Sequence, residues 1–149
     1  MSTSPASHVS ASSQVRSVNP YVHPEGSARG WWTEEGIVYV QLGATKHRDG
    51  APFTEADALN TLEVVDHLTS EHESFVQLVD IRTLRRTTAK SRRINPSAKS
   101  RRIAMLVRSR VSRMLGNAYL GINRNIPCPM RLFTNEEKAL RWLMLPNDS

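Results

Sequence analysis

Asp80 is followed by Arg82, Arg85 and Arg86 and then by Thr87 and Thr88, so one carboxylate, three guanidiniums and two hydroxyls lie close together in the chain. A carboxylate is the natural general base of such a group. Guanidiniums beside it, however, favour its ionised form and weaken it as a base. No catalytic residue is therefore assigned, and Asp80, Arg82, Arg85, Arg86, Thr87 and Thr88 read as a place for a protein partner or a small ligand. Thr87 or Thr88 is the residue type that caps a helix start. A second basic group follows in Lys90, Arg92, Arg93, Lys99, Arg101 and Arg102. On a helix, Arg86, Lys90 and Arg93 would align at i, i+4 and i+7, and several phosphates could be neutralised by such a face. Ile81 to Ala118 holds no aromatic residue. Unpaired bases would find no stacking platform there, which leaves phosphate, an anionic membrane surface or an acidic protein as anionic partners.

This basic group belongs to a wider asymmetry. Ile81 to Asn135 contains 14 Lys or Arg and no acid, whereas Trp31 to Glu73 carries nine acids against Lys46 and Arg48. Such a polarised surface bears on partners rather than on chemistry. Other chemistries lack their residues. His67 and His72 are five apart, not at the i, i+4 spacing of a helical metal pair. Cys128, between Pro127 and Pro129, is the only cysteine, so neither an internal disulfide nor a multi-cysteine zinc site can form. Phosphate-loop, dinucleotide and hydrolase-elbow signatures are missing, and no cofactor is expected. No apolar run approaches the ~20 residues that span a bilayer, and the N-terminus has no secretory h-region. The expected compartment is the cytoplasm.

The elements that must position these residues are readable from periodicity. Residues 1–28 are rich in Ser and Pro without a sustained period and are expected to form a flexible tail. The domain expected over 29–146 opens with a hairpin, Trp31-Trp32-Thr33 and Ile37 to Leu42 around Glu34-Glu35-Gly36. Adjacent tryptophans on a strand point to opposite faces, so only one is expected in the core, the other covering an edge, docking the tail or joining a subunit interface. Thr54 and Asp57 resemble a capping box opening a helix with Ala58, Leu59, Leu62, Val65 and Leu68 at helical spacing. Phe75 to Asp80 and Ile103 to Val107 read as buried strands. Val111, Met114, Leu115, Ala118, Tyr119 and Ile122 form one apolar helical face. Met130 to Phe133 is a last strand, and Thr134 with Glu137 forms a second capping box ahead of Leu140, Trp142 and Leu143.

This order implies a mixed, mostly parallel α/β sheet of five strands with an N-terminal hairpin and about four helices. It resembles the STAS superfamily, and within it the SpoIIAA-like bacterial proteins. The segments that carry the resemblance are Phe75-Val-Gln-Leu-Val-Asp80 with Ile81-Arg82, and Met130-Arg-Leu-Phe-Thr-Asn-Glu-Glu-Lys-Ala-Leu-Arg-Trp142. The resemblance implies a non-enzymatic regulatory or interaction domain, with a protein partner or a further copy of the chain. In antagonists of that class an Asp-Ser-Ser-Gly motif follows the strand matching Phe75 to Asp80, and its serine is phosphorylated. The matching place here reads Arg85-Arg86-Thr87-Thr88-Ala89, so a threonine stands where the serine would be and arginines replace the acid.

Overall fold

Runs of β-branched and aromatic residues that must be buried on both sides form the middle of a sheet. The computed structural model of the chain describes residues 20–43, 51–122 and 128–146, with the side chains of 112 and 118–122 excepted. The described elements are β1 (Tyr21–Val22), β2 (Ala28–Trp32), β3 (Val38–Leu42), α1 (Glu55–Thr69), β4 (Phe75–Asp80), α2 (Ala89–Arg92), β5 (Ser100–Leu106), α3 (Arg110–Ile122), β6 (Met130–Phe133) and α4 (Glu136–Leu143). They build a mostly parallel sheet of six strands in the order β1-β2-β3-β4-β5-β6. The first three strands are antiparallel and β3 to β6 are parallel.

Because the parallel strands follow chain order without reversal, crossovers of one hand carry their helices to one face. Ala58, Val64 and Val65 of α1, Ile94 after α2 and Leu115 of α3 accordingly pack with Val38, Val40 and Met105 on that side. On the opposite side Ala139 and Leu143 of α4 cover Trp31, Tyr39, Val76, Leu78, Ala104 and Leu106. This two-sided cover separates the tryptophans as expected, and of the two only Trp31 is fully buried. Trp31 is buried and stacks on Tyr39 at 4.6 Å, while Trp32 donates Nε1 to the Leu68 carbonyl at 2.8 Å and stacks on His72 at 4.4 Å. Trp31 enters the core on the α4 face, and half-buried Trp32 packs against the core on the other.

The sheet has six strands where five were expected, because Tyr21 and Val22 pair with Gly30 and Arg29. They lie within the segment expected as tail. Two residues carry no readable period, and what holds them is remote in sequence: Tyr21 stacks on His67 at 4.0 Å, and His23 Nε2 lies 2.8 Å from Glu63 Oε1. Residues 1–19 and 44–50 lie outside the described residues. At the next strand α1 presses closely, since a Cβ on Gly30 would stand 3.0 Å from both Leu68 Cδ1 and the Tyr39 carbonyl oxygen.

Local capping is as expected at α1, where Thr54 Oγ1 accepts from Asp57 N and Asp57 Oδ2 accepts from Thr54 N. At α4 the cap is Asn135, not Thr134, with its Oδ1 accepting from Lys138 N at 2.8 Å. The apolar face expected of α3 turns only partly inward. Leu115 packs on the core, but Val111 and Met114 are exposed; the side chains of Ala118, Tyr119 and Ile122 lie outside the described residues. Gly116 is the contact point instead, with a Cβ there falling 2.8 Å from Leu132 Cδ2 of β6.

Candidate functional site

The residues that sequence placed in one site are divided by the sheet. Alternation along β4 sends Asp80 to the α4 face with Val76 and Leu78, whereas Gln77 and Val79 face the crossover helices. Asp80 is buried, and each of its oxygens already accepts two hydrogen bonds: Oδ1 from Arg82 N and Nε, both at 3.0 Å, and Oδ2 from Arg82 Nη2 at 2.8 Å and the Tyr39 hydroxyl at 3.1 Å. Glu136 at the start of α4 completes the group, with Oε1 3.2 Å from the Tyr39 hydroxyl and 3.7 Å from Arg82 Nη2. Burial, reinforced by the charges of Asp80 and Glu136, holds the Tyr39 phenol far above its ordinary pKa and keeps it protonated. The hydrogen bond to Asp80, reinforced by that carboxylate's charge and opposed by burial, raises Arg82 further still. The arrangement is a brace that ties Tyr39, near the start of β3, and Asp80, at the end of β4, to the start of α4.

Across the sheet lies an apolar cavity of about 110 Å³. Its floor is β4 and β5 through Gln77, Val79, Ile103 and Met105, and its walls come from α1 (Ala58, Leu62, Val65), from Thr87, Ser91 and Arg92 around α2, and from Leu115 of α3. Thr88, not Thr87, caps α2: its Oγ1 accepts from Ser91 N at 3.1 Å. Thr87 instead pairs with Phe53 across a bridge and accepts from Arg92 Nη1 through both its carbonyl (3.0 Å) and Oγ1 (2.7 Å). The loop after α2, Ile94 to Pro96, adds the remaining wall. Sequence reasoning passed over Gln77, a buried amide in an otherwise apolar strand; that mismatch of polarity was the available signal.

The basic residues do not form one face. Helix α2 has four residues, so Arg86 lies before it and Arg93 at its C-cap, and the helical alignment of Arg86, Lys90 and Arg93 does not arise. Arg102 is buried under α4 and donates to the carbonyls of Trp142, Leu145 and Pro146. Lys99 Nζ donates to the carbonyls of Thr69 and His72 at the end of α1. Both are cations at helix C-termini, where the carbonyls lack intrahelical partners. Arg101, next to Arg102, is exposed and reaches Ser74 Oγ at 3.2 Å. Arg85, Arg86, Lys90 and Arg93 are exposed around α2. Among the described residues no group of three or more His, Cys, Asp or Glu could hold a metal ion, and no helix is long and apolar enough to cross a membrane.

Residues 31–145 match the family described as Domain of unknown function (DUF7793). The chain belongs to that family. A protein with unknown function from Arthrobacter sp. FB24, known from a crystal structure, is 34% identical over 78% of this chain and 92% of its own, with a TM-score of 0.30. No curated protein matches. The DUF7793 span contains every residue that lines the cavity and all four members of the polar brace, while β1 precedes it.

Proposed function

We propose that the chain is a non-enzymatic interaction domain that binds a small apolar-bodied molecule between α1, α2, α3 and the sheet. The cavity carries this reading. Its lining is mainly aliphatic, and at about 110 Å³ it approaches the size that admits a single aromatic ring or a short branched chain. The non-enzymatic part is supported by the brace, in which the Asp80 oxygens are occupied and the Tyr39 phenol stays protonated. Cys128 adds to it, for burial pushes its thiol up to about 11 and suppresses the nucleophilic thiolate. Thr87 on the cavity wall and Thr88 at the α2 start support a STAS-type regulatory domain, in which occupancy of the cavity and the state of that helix start are linked.

The test is titration of the isotope-labelled full chain with toluene. Saturable shifts of the Val65, Met105 and Leu115 methyl signals are expected, and Ala58→Met, which fills the cavity from α1, should abolish them. Shifts that do not saturate, or that persist unchanged in Ala58→Met, would overturn the reading. A second reading, an anion-binding module, draws support from exposed Arg85, Arg86, Lys90 and Arg93 in a stretch without acids. It requires polyanion binding that falls steeply with salt and disappears when these four charges are reversed.

A further inference from the structure

We propose that the molecule held in this cavity carries one neutral hydrogen-bond donor, a hydroxyl or an amide N–H, that meets Gln77 at the cavity floor. The inference rests on the cavity reading above and assigns the chemical class of its ligand. Gln77 is 4% exposed and lies in the middle of β4, between two strands of a parallel sheet. Its Nε2 donates to Ser100 Oγ at 2.9 Å, and the residue lines the cavity, so the other end of the amide, Oε1, is left to meet a bound molecule. An aliphatic side chain at this position would suit the lining without offering a polar contact, so the amide is a polar group set into a mainly apolar cavity floor.

The amide is also held in orientation by an irregularity of the sheet. The β4–β5 register shifts between Phe75 and Val76, which pair with Ser100 and Arg102, so Arg101 is the extra residue of a bulge. Strict alternation would put Ser100 and Arg102 on the same face. With the bulge, Arg102 faces α4 while Ser100 turns to the cavity side and fixes the amide of Gln77. The other hydroxyls of the lining are bonded locally: Thr61 Oγ1 donates to the Asp57 carbonyl at 2.9 Å, Ser91 Oγ to the Thr88 carbonyl at 2.7 Å, and Thr87 Oγ1 accepts from Arg92 Nη1 at 2.7 Å. Gln77 is thus the polar group of the floor that is set up for a ligand.

The sign and charge of that ligand group follow from its surroundings. An amide oxygen accepts, so the group facing it must donate, and a carboxylate cannot. An ammonium donates, but no carboxylate lines the cavity to offset the loss of its hydration. A neutral donor on an apolar body remains.

Toluene, phenol and benzoate, nearly equal in shape, are the probes, titrated against the full chain by calorimetry or by the methyl shifts above. A cavity without a polar partner favours toluene strongly over phenol, whose hydroxyl would be stripped of water. The expected order is phenol at least as tight as toluene, with benzoate weakest. In Gln77→Leu the preference should invert, toluene binding tighter than phenol by about tenfold or more as the hydroxyl goes unsatisfied. Retained toluene binding shows that this variant is folded and its cavity open; if it does not fold, the wild-type order decides alone. Toluene tighter than phenol in the wild type, or benzoate tightest, overturns this inference and leaves the cavity reading standing. Failure of all three probes to bind overturns both.

Discussion

Replacing Arg102 separates a structural cation from an anion-binding one. Its side chain, 8% exposed, donates Nη1 to the carbonyls of Trp142 (2.8 Å) and Leu145 (2.9 Å) and Nη2 to that of Pro146 (2.9 Å), with the guanidinium carbon 5.6 Å from the Trp142 ring centroid. Arg102→Met keeps the aliphatic stem against the core and removes the fork. Hydrogen bonds to a charged group contribute about 1.5–3 kcal/mol each when fully buried. Leu145 and Pro146 are exposed, so their carbonyls regain water in the variant and the loss falls well short of the sum. A net cost of about 2–3 kcal/mol follows, including the favourable charge at the negative end of α4. For a domain of this size that is roughly a 10 °C fall in Tm. Exposed Arg101, one residue away and reaching Ser74 at 3.2 Å, should cost less than about 0.5 kcal/mol when changed to Met. Arg102→Lys keeps the charge but not the planar fork and should recover about half of the loss. Urea unfolding with unchanged m-value is the assay. Equal losses at Arg101 and Arg102, or an Arg102→Lys variant as stable as the parent, would refute the assignment.

Three further outcomes are expected. Arg82→Ala strands the Asp80 carboxylate, whose side chain is 1% exposed, and should cost about 3–5 kcal/mol, more than Tyr39→Phe at about 1–2 kcal/mol; the reverse order in denaturant unfolding counts against the brace. Thr88→Ala should lose about 1 kcal/mol through the α2 cap, measured by thermal unfolding, and an unchanged midpoint would remove that role. Cys128, its thiol raised to about 11 by burial, should react sluggishly with iodoacetamide at pH 8, where about one thousandth is thiolate, and accelerate as pH rises towards 11. Because the folded value lies above the unfolded one, stability from this group is complete below pH 9.0 and is lost as pH rises through about 11; fast alkylation at pH 8 would contradict it.

The sequence by itself determined the elements whose signals are local. The Thr54–Asp57 box and the stripe from Ala58 to Leu68 sit within a few turns of one helix, and Phe75 to Asp80 states its burial in its own composition. Alternation of strand and helix was enough for a mostly parallel sheet. Placement of the site was different. Strand β1 exists only because Tyr21 and Val22 find β2 and α1. Asp80 and Thr87, seven positions apart, end on opposite sides of the sheet, since β4 alternates and the chain then turns back along the crossover face. Arg102 looks like any member of a solvated basic run, yet its acceptors are backbone carbonyls about 40 residues on, and a carbonyl leaves no mark in side-chain sequence. The pairing of Gln77 with Ser100 needs a bulge, a one-residue register choice made between β4 and β5. Periodicity is a property of one segment and can be read along the chain. Register, handedness and the partners of buried polar groups are properties of two segments together, so the fold alone decided them.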